Sequence, residues 1–150
     1  MIRVAQEKDF DSIKKITQTT IWSVYPRYYP SGAVQFFSDH HSDDRIKVNI
    51  YEGKVFLLEI DGSAIGTVTV IDNEINRLFV LPIFQHKGYG RELMEFAEEM
   101  IGKEHNHIIL DASLPAKEMY IKRGYVAAKY NKIETKNGDY LCFDVMEKKL

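Results

Sequence analysis

The residues Gln85-His86-Lys87-Gly88-Tyr89-Gly90-Arg91 have the types and spacing most suited to chemistry. Two glycines one residue apart lie where a strand-like run changes into a helix-like one. The run before them is Ile75, Leu78, Phe79 and Val80, broken at Leu81-Pro82. The run after them carries Leu93, Met94, Phe96 and Ala97 at helical spacing. The first turn of a helix has N–H groups without partners and is the positive end of the dipole. Glycines remove the Cβ atoms that would hold a phosphate away. The stretch therefore reads as an anion site, with a pyrophosphate as the expected occupant.

Two well-known phosphate loops do not fit. A Walker loop ends in Gly-Lys-Ser/Thr, and here Gly90 is followed by Arg91-Glu92. A dinucleotide fingerprint needs a third glycine three residues after the second, where this chain has Leu93. That fingerprint also belongs near the start of a βαβ unit, whereas strands of hairpin character come first here.

Other candidates read as structural. Cys142 lies in the strand-like run Tyr140 to Val145 and has no partner for an internal disulfide. His40-His41, among Asp39, Asp43 and Asp44, looks like a solvated loop, since adjacent side chains seldom converge on one ion. No metal is expected. His105 and His107 flank Asn106 in a surface turn.

These residues need a framework. Ile2-Arg3-Val4 reads as a first strand, and Asp9 caps a helix with Phe10, Ile13 and Ile16 on one face. Pro26 and Pro30 interrupt an aromatic stretch, and Ser31 caps a second helix around residues 33–37. From Val48 to Val70 the chain reads as β: Ile50-Tyr51, then a hairpin of 55–60 and 64–70 around Asp61-Gly62. A third strand (75–80), the helix after Gly88, a strand at 107–111, a helix at 115–122 and a final hairpin complete the chain. This order predicts a mixed sheet flanked by helices, an α/β (α+β) class. A chain of 150 residues fits one domain spanning 1–150. A net charge of −2 gives no general attraction to nucleic acid or to an anionic membrane. No apolar run approaches the roughly 20 residues of a membrane span. The N-terminus lacks an apolar signal core, so a cytoplasmic protein is expected.

The spacing Gln-x-x-Gly-x-Gly at Gln85, Gly88 and Gly90 resembles the acyl-CoA loop of the GCN5-related N-acetyltransferases (GNAT). Ser113, Ala116, Tyr120, Gly124 and Tyr125 resemble the family's second CoA segment, with Ser113 in place of the usual asparagine. The order of elements also matches, so the resemblance covers nearly the whole chain. It implies a mostly antiparallel sheet of about seven strands with about four helices. It also implies acetyl transfer from acetyl-CoA to an amine of a small molecule or a protein by direct attack. The alternative is a module of the same fold that binds acyl-CoA without turnover. Homodimers are common in the family, and no stretch of this sequence demands one.

By the same resemblance, Leu78, Phe79 and Val80 would pair with pantetheine through their backbone. His86, Lys87, Gly88, Tyr89, Gly90 and Arg91 would wrap the pyrophosphate. For Lys87 and Arg91 the plainer alternative is a solvated helix start. An ammonium cannot attack a thioester, and deprotonating a lysine-like amine at pH 7 costs roughly 4–5 kcal/mol. Glu74, eleven residues before Gln85, is spaced like the glutamate of the histone-modifying branch and is the leading base. Asp111 is the alternative. Tyr120 would donate a hydrogen bond to the departing thiolate. For the acceptor, the resemblance points to Trp22, Tyr25, Tyr28, Tyr29 and Phe36, with Tyr130 from the far side. An aromatic mini-core explains the same residues equally well.

Overall fold

Val55–Leu58 and Ile65–Val70 are continuous buried runs, and they form the centre of the sheet. The computed structural model describes residues 1–150. Seven strands are present: β1 (Ile2–Val4), β2 (Val55–Ile60), β3 (Ser63–Ile71), β4 (Glu74–Val80), β5 (His107–Ala112), β6 (Val126–Glu134) and β7 (Tyr140–Lys149). Their order across the sheet is β1-β2-β3-β4-β5-β7-β6. Every neighbouring pair is antiparallel except β4–β5. The Asp61-Gly62 turn has φ of 50° and 76°, the positive pair that a tight hairpin with right-handed twist requires.

Five α-helices cover the sheet: α1 (Phe10–Val24), α2 (Ser31–His40), α3 (Asp43–Tyr51), α4 (Tyr89–Gly102) and α5 (Leu114–Lys122). The first three bury Ile13, Ile16, Ile21, Val34, Ile46 and Ile50 against one face. On the other face α4 buries Leu93, Met94, Ala97 and Ile101, and α5 adds Tyr120. Each such side chain, fully buried, is worth roughly 1.5–3 kcal/mol of apolar transfer. The expected mixed, mostly antiparallel sheet is therefore present.

Residues 39–51 differ from expectation. They form the last turn of α2 and all of α3, not a loop followed by a strand at Ile50-Tyr51. Ser42 Oγ accepts from Arg45 N–H at 3.3 Å, and Asp43 and Asp44 occupy the first turn, where the dipole favours them. Ile46 and Ile50, four apart, are both buried. That helical spacing outweighs the β preference of isoleucine.

Two features place the site. Strands β4 and β5 pair only at Glu74↔Ile109 and Ile75↔Leu110. Beyond these, β4 carries a bulge: Thr69 pairs with Asn76 but Thr67 with Phe79, and Arg77 has φ 46°. The extra residue bends β4, and a gap opens between it and β5. The second feature is the start of α5. Ser113 makes no side-chain cap there. Instead the Leu114 N–H donates to the phenol oxygen of Tyr29 at 2.7 Å. Tyr29 is buried, so α5 is capped by a tyrosine that lies 85 residues away in the chain.

Replacing Tyr29 with phenylalanine keeps the ring and removes this acceptor. The expected cost is about 1–2 kcal/mol in urea unfolding, typical of a lost helix cap. Unfolding curves that coincide with wild type would show that the phenol does not cap α5.

Candidate active site

The gap between β4 and β5 opens into a cleft of about 720 Å³. One wall is the strand end Leu78, Phe79 and Val80. Gln85 fixes this end: its Nε2 donates to the Val80 carbonyl at 2.9 Å, and Thr20 Oγ1 donates to the same oxygen at 3.3 Å. The chain then turns through His86 (φ 60°) and Gly88 (φ 92°) into α4. The backbone N–H groups from His86 to Arg91 donate to no acceptor in the protein. Gly88 needs its positive φ. Gly90 does not, and a Cβ built there would meet only Met119 Sδ at 3.9 Å. The space above Gly90 belongs to the cleft, and the helix start with its free N–H groups lines that cleft through His86, Gly88, Gly90 and Arg91. The residues present thus fit a phosphate-bearing cofactor.

Among the basic side chains, Arg91 lines the cleft and also pairs with Glu95 at 3.2 Å. Lys87 does not line it; its ammonium lies over the Phe84 ring, 5.6 Å from the centroid. Tyr89 likewise lies outside the lining and packs against the core under α4. Ser113, at the mouth of α5, lines the cleft, and its hydroxyl interacts with the buried Tyr25 phenol.

Tyr120 lines the cleft from α5 and is buried. Burial first, and the neighbouring Tyr25 second, push its phenol well above the ordinary value. The phenol therefore stays protonated at neutral pH and keeps a hydrogen to donate. Gly124 (φ 92°) ends α5. Tyr125 Oη then donates to Glu98 on α4 at 3.1 Å, beside the Arg123–Glu98 ion pair at 2.6 Å. These contacts hold the helix that carries Tyr120.

A second, polar pocket of about 510 Å³ adjoins the cleft. The two share His40, His41, Asn76, Arg77 and Asp111. Ile75 and Leu110 point into the core below α4, so strand alternation sends Glu74 and Asp111 to the opposite face, two residues out of register with each other. Burial raises the Glu74 carboxyl above its usual range, Asp111 raises it further, and Asn76 offsets part of the shift. Asp111 is raised by burial, partly offset by His40. Burial and then Arg77 push His41 down to about 3, so it is neutral. Burial and Arg45 lower Arg77 to about 10, which leaves it a cation at pH 7.

Of the residues expected at the acceptor side, Tyr25, Tyr28 and Phe36 line the cleft. Trp22, half exposed, lines neither space. Tyr29 caps α5 instead. Tyr130 points out from β6, and the far wall is built from Ile133, Leu141 and Phe143. Sequence reasoning missed His40, His41, Asn76 and Arg77. Extending α2 by one turn would have aligned His40 with Phe36 and His41 with Phe37. A lone arginine inside the apolar run Ile75–Val80 was the signal for Arg77.

The geometry has counterparts in known proteins. A family model described as an acetyltransferase (GNAT) domain matches residues 24–150. An uncharacterized N-acetyltransferase of Escherichia coli (strain K12), YafP, is 21% identical over 142 residues, covering 95% of this chain and 91% of that one. Among solved structures, a GCN5-related N-acetyltransferase (Aminotransferase, Class-II) from Rhodopseudomonas palustris superposes with a TM-score of 0.91 at 22% identity. That match covers 100% of this chain and 95% of the other. The PaiA N-acetyltransferase from Thermoplasma acidophilum, in complex with coenzyme A, superposes at 0.75 with 19% identity, covering 100% and 98%. With more than half of its length matched by the family model, the chain belongs to the GNAT acetyltransferase family.

Proposed function

We propose that the protein transfers an acetyl group from acetyl-CoA to a primary amine of a small molecule by direct attack. One observation carries this reading. A cleft with a row of free N–H groups and a buried phenol meets, at Asp111, a polar pocket holding two carboxylates of raised pKa. The coenzyme A complex of the PaiA enzyme supports the choice of donor. The pocket, about 510 Å³ between α2, α3 and the sheet, has the volume of a small-molecule site, which favours a small acceptor.

When bound, acetyl-CoA supplies an activated thioester carbonyl. The N–H groups of His86 to Arg91 hold the pyrophosphate, with Arg91 as the side-chain cation. The open edge of β4 at Leu78, Phe79 and Val80 offers backbone partners for pantetheine. Asp111 lines both spaces and holds the incoming ammonium. Glu74 takes the proton: its raised pKa places the carboxylate closer to neutrality, where a base exchanges protons most effectively. Tyr120 donates its phenol hydrogen to the leaving sulfur.

Three measurements test this. Tyr120→Phe is expected to lower kcat about 10-fold or more, with an unchanged melting temperature. Wild-type kinetics would remove Tyr120 from the reaction. Gly90→Val fills the space above α4, and acetyl-CoA should bind about 10-fold or more weakly to a protein that still folds. The third concerns pH. Protonating Glu74 removes the base, so kcat/KM should fall toward acid with an apparent pKa above the usual carboxylate range. Asp111→Asn relieves the repulsion that raises Glu74, so this acid limb should move to lower pH. Glu74→Gln should abolish it. An acid limb that survives Glu74→Gln intact would assign the base elsewhere.

A further inference from the structure

Arg77 is a buried cation without a counter-ion. It is 8% exposed, and its nitrogen atoms meet three neutral acceptors. Nε donates to His41 Nδ1 at 3.4 Å, Nη1 to Thr69 Oγ1 at 3.1 Å and Nη2 to Asn49 Oδ1 at 3.1 Å. A guanidinium carries five N–H groups, so two are left over, and the side chain lines the polar pocket. Arg3, Arg91 and Arg123 each pair with a carboxylate, and Arg77 does not. A buried charge is normally paired, because its desolvation costs several kcal/mol. Arg45, on α3, lines the same pocket and also joins no ion pair; its Nη1 meets His40 Nδ1 at 3.3 Å. Two guanidinium groups thus face one pocket and repel each other. The carboxylates that line it are Glu74 and Asp111 from the strand ends, and Asp44 on the exposed first turn of α3. None of the three lies within ion-pairing distance of either arginine.

The pocket is therefore bipolar, with the strand carboxylates Glu74 and Asp111 and two guanidinium groups that pair with neither of them. We infer that the acceptor is a small zwitterion, an amine that carries its own carboxylate, as in an amino acid. The amine lies at Glu74 and Asp111, and the carboxylate supplies the anion that Arg77 and Arg45 lack. A planar guanidinium with two spare N–H groups is matched to a carboxylate. The same charges reject a polyamine, whose second ammonium would face the arginines. This inference rests on the acetyl-transfer reading of the same pocket.

The test uses matched probes with acetyl-CoA: the common L-amino acids against their amides, 4-aminobutyrate against butylamine, and spermidine. Thiol release gives kcat/KM, and calorimetric titration of the same probes into the protein reads binding without turnover. At least one carboxylate probe is expected to exceed its uncharged partner by about 10-fold or more, the worth of a charged hydrogen bond. Arg77→Gln should collapse that ratio toward one. Arg45→Gln, at an exposed position, should reduce it too, and it remains informative where the Arg77 variant folds poorly. Preference for the amides, butylamine or spermidine would overturn the inference, as would a ratio that survives both substitutions. Heat on adding a carboxylate probe, with no thiol release from any probe, would sink the acetyl-transfer reading while upholding the zwitterion site. Neither heat nor thiol release from the carboxylate probes would overturn the zwitterion site.

Discussion

Strands β4 and β5 hold each other through two residue pairs and then separate, and the site depends on that separation. A parallel pair inside a sheet would normally continue, because unpaired backbone groups in an interior are costly. Here the bulge at Arg77 bends β4 away, and the strand edge at Leu78, Phe79 and Val80 is left open within the domain. An edge in this position is open to an extended ligand backbone, as the proposed pantetheine pairing requires. The same divergence aims the turn after β4 at the cleft, so the start of α4 and the open edge form one continuous surface.

The two pairs that do form matter as much. They put Ile75 and Leu110 into the core under α4, and this forces Glu74 and Asp111 together on the other face. Burial raises the Glu74 carboxyl and the Asp111 charge raises it further, so the register that puts both on one face contributes to the proton affinity of the proposed base. Arg77 follows from the bulge in the same way. Without the extra residue, a side chain at this point of β4 would alternate strictly. With it, the guanidinium reaches Thr69, Asn49 and His41 at the edge of the polar pocket.

What could be read from the sequence was local. The turn through Gly88 and Gly90 depends on neighbours in the chain, and its position, conformation and free N–H groups match the expectation. The apolar runs of β2 and β3, the Asp61-Gly62 hairpin and the extents of α4 and α5 were legible for the same reason. Helix α3 was obscured because Val48, Ile50 and Tyr51 prefer strands individually, while the Ile46–Ile50 spacing that decides the matter spans one turn. The aromatic stretch 22–29 was legible only as a group. Side-chain type does not separate Tyr25, which lines the cleft, from Tyr29, whose partner is the Leu114 N–H. Arg77 needed three elements at once, and no spacing along the chain announces that.

The proposed donor and acceptor halves of the site are built from different material, and this limits what a shared fold can say. The donor half uses backbone N–H groups, a strand edge and a helix dipole, which almost any sequence supplies once the chain has this topology. The acceptor half uses four charged side chains, Glu74, Asp111, Arg77 and Arg45, brought together from two strands and one helix. A change at any of these alters the charge of the pocket, and none of the four belongs to either apolar core. Relatives that keep the sheet and the parting of β4 from β5 can thus keep one donor while differing in acceptor. On the proposed reading, the choice of acceptor follows from side-chain charge in the polar pocket, where carboxylates and unpaired guanidinium groups together would select a molecule of two opposite charges.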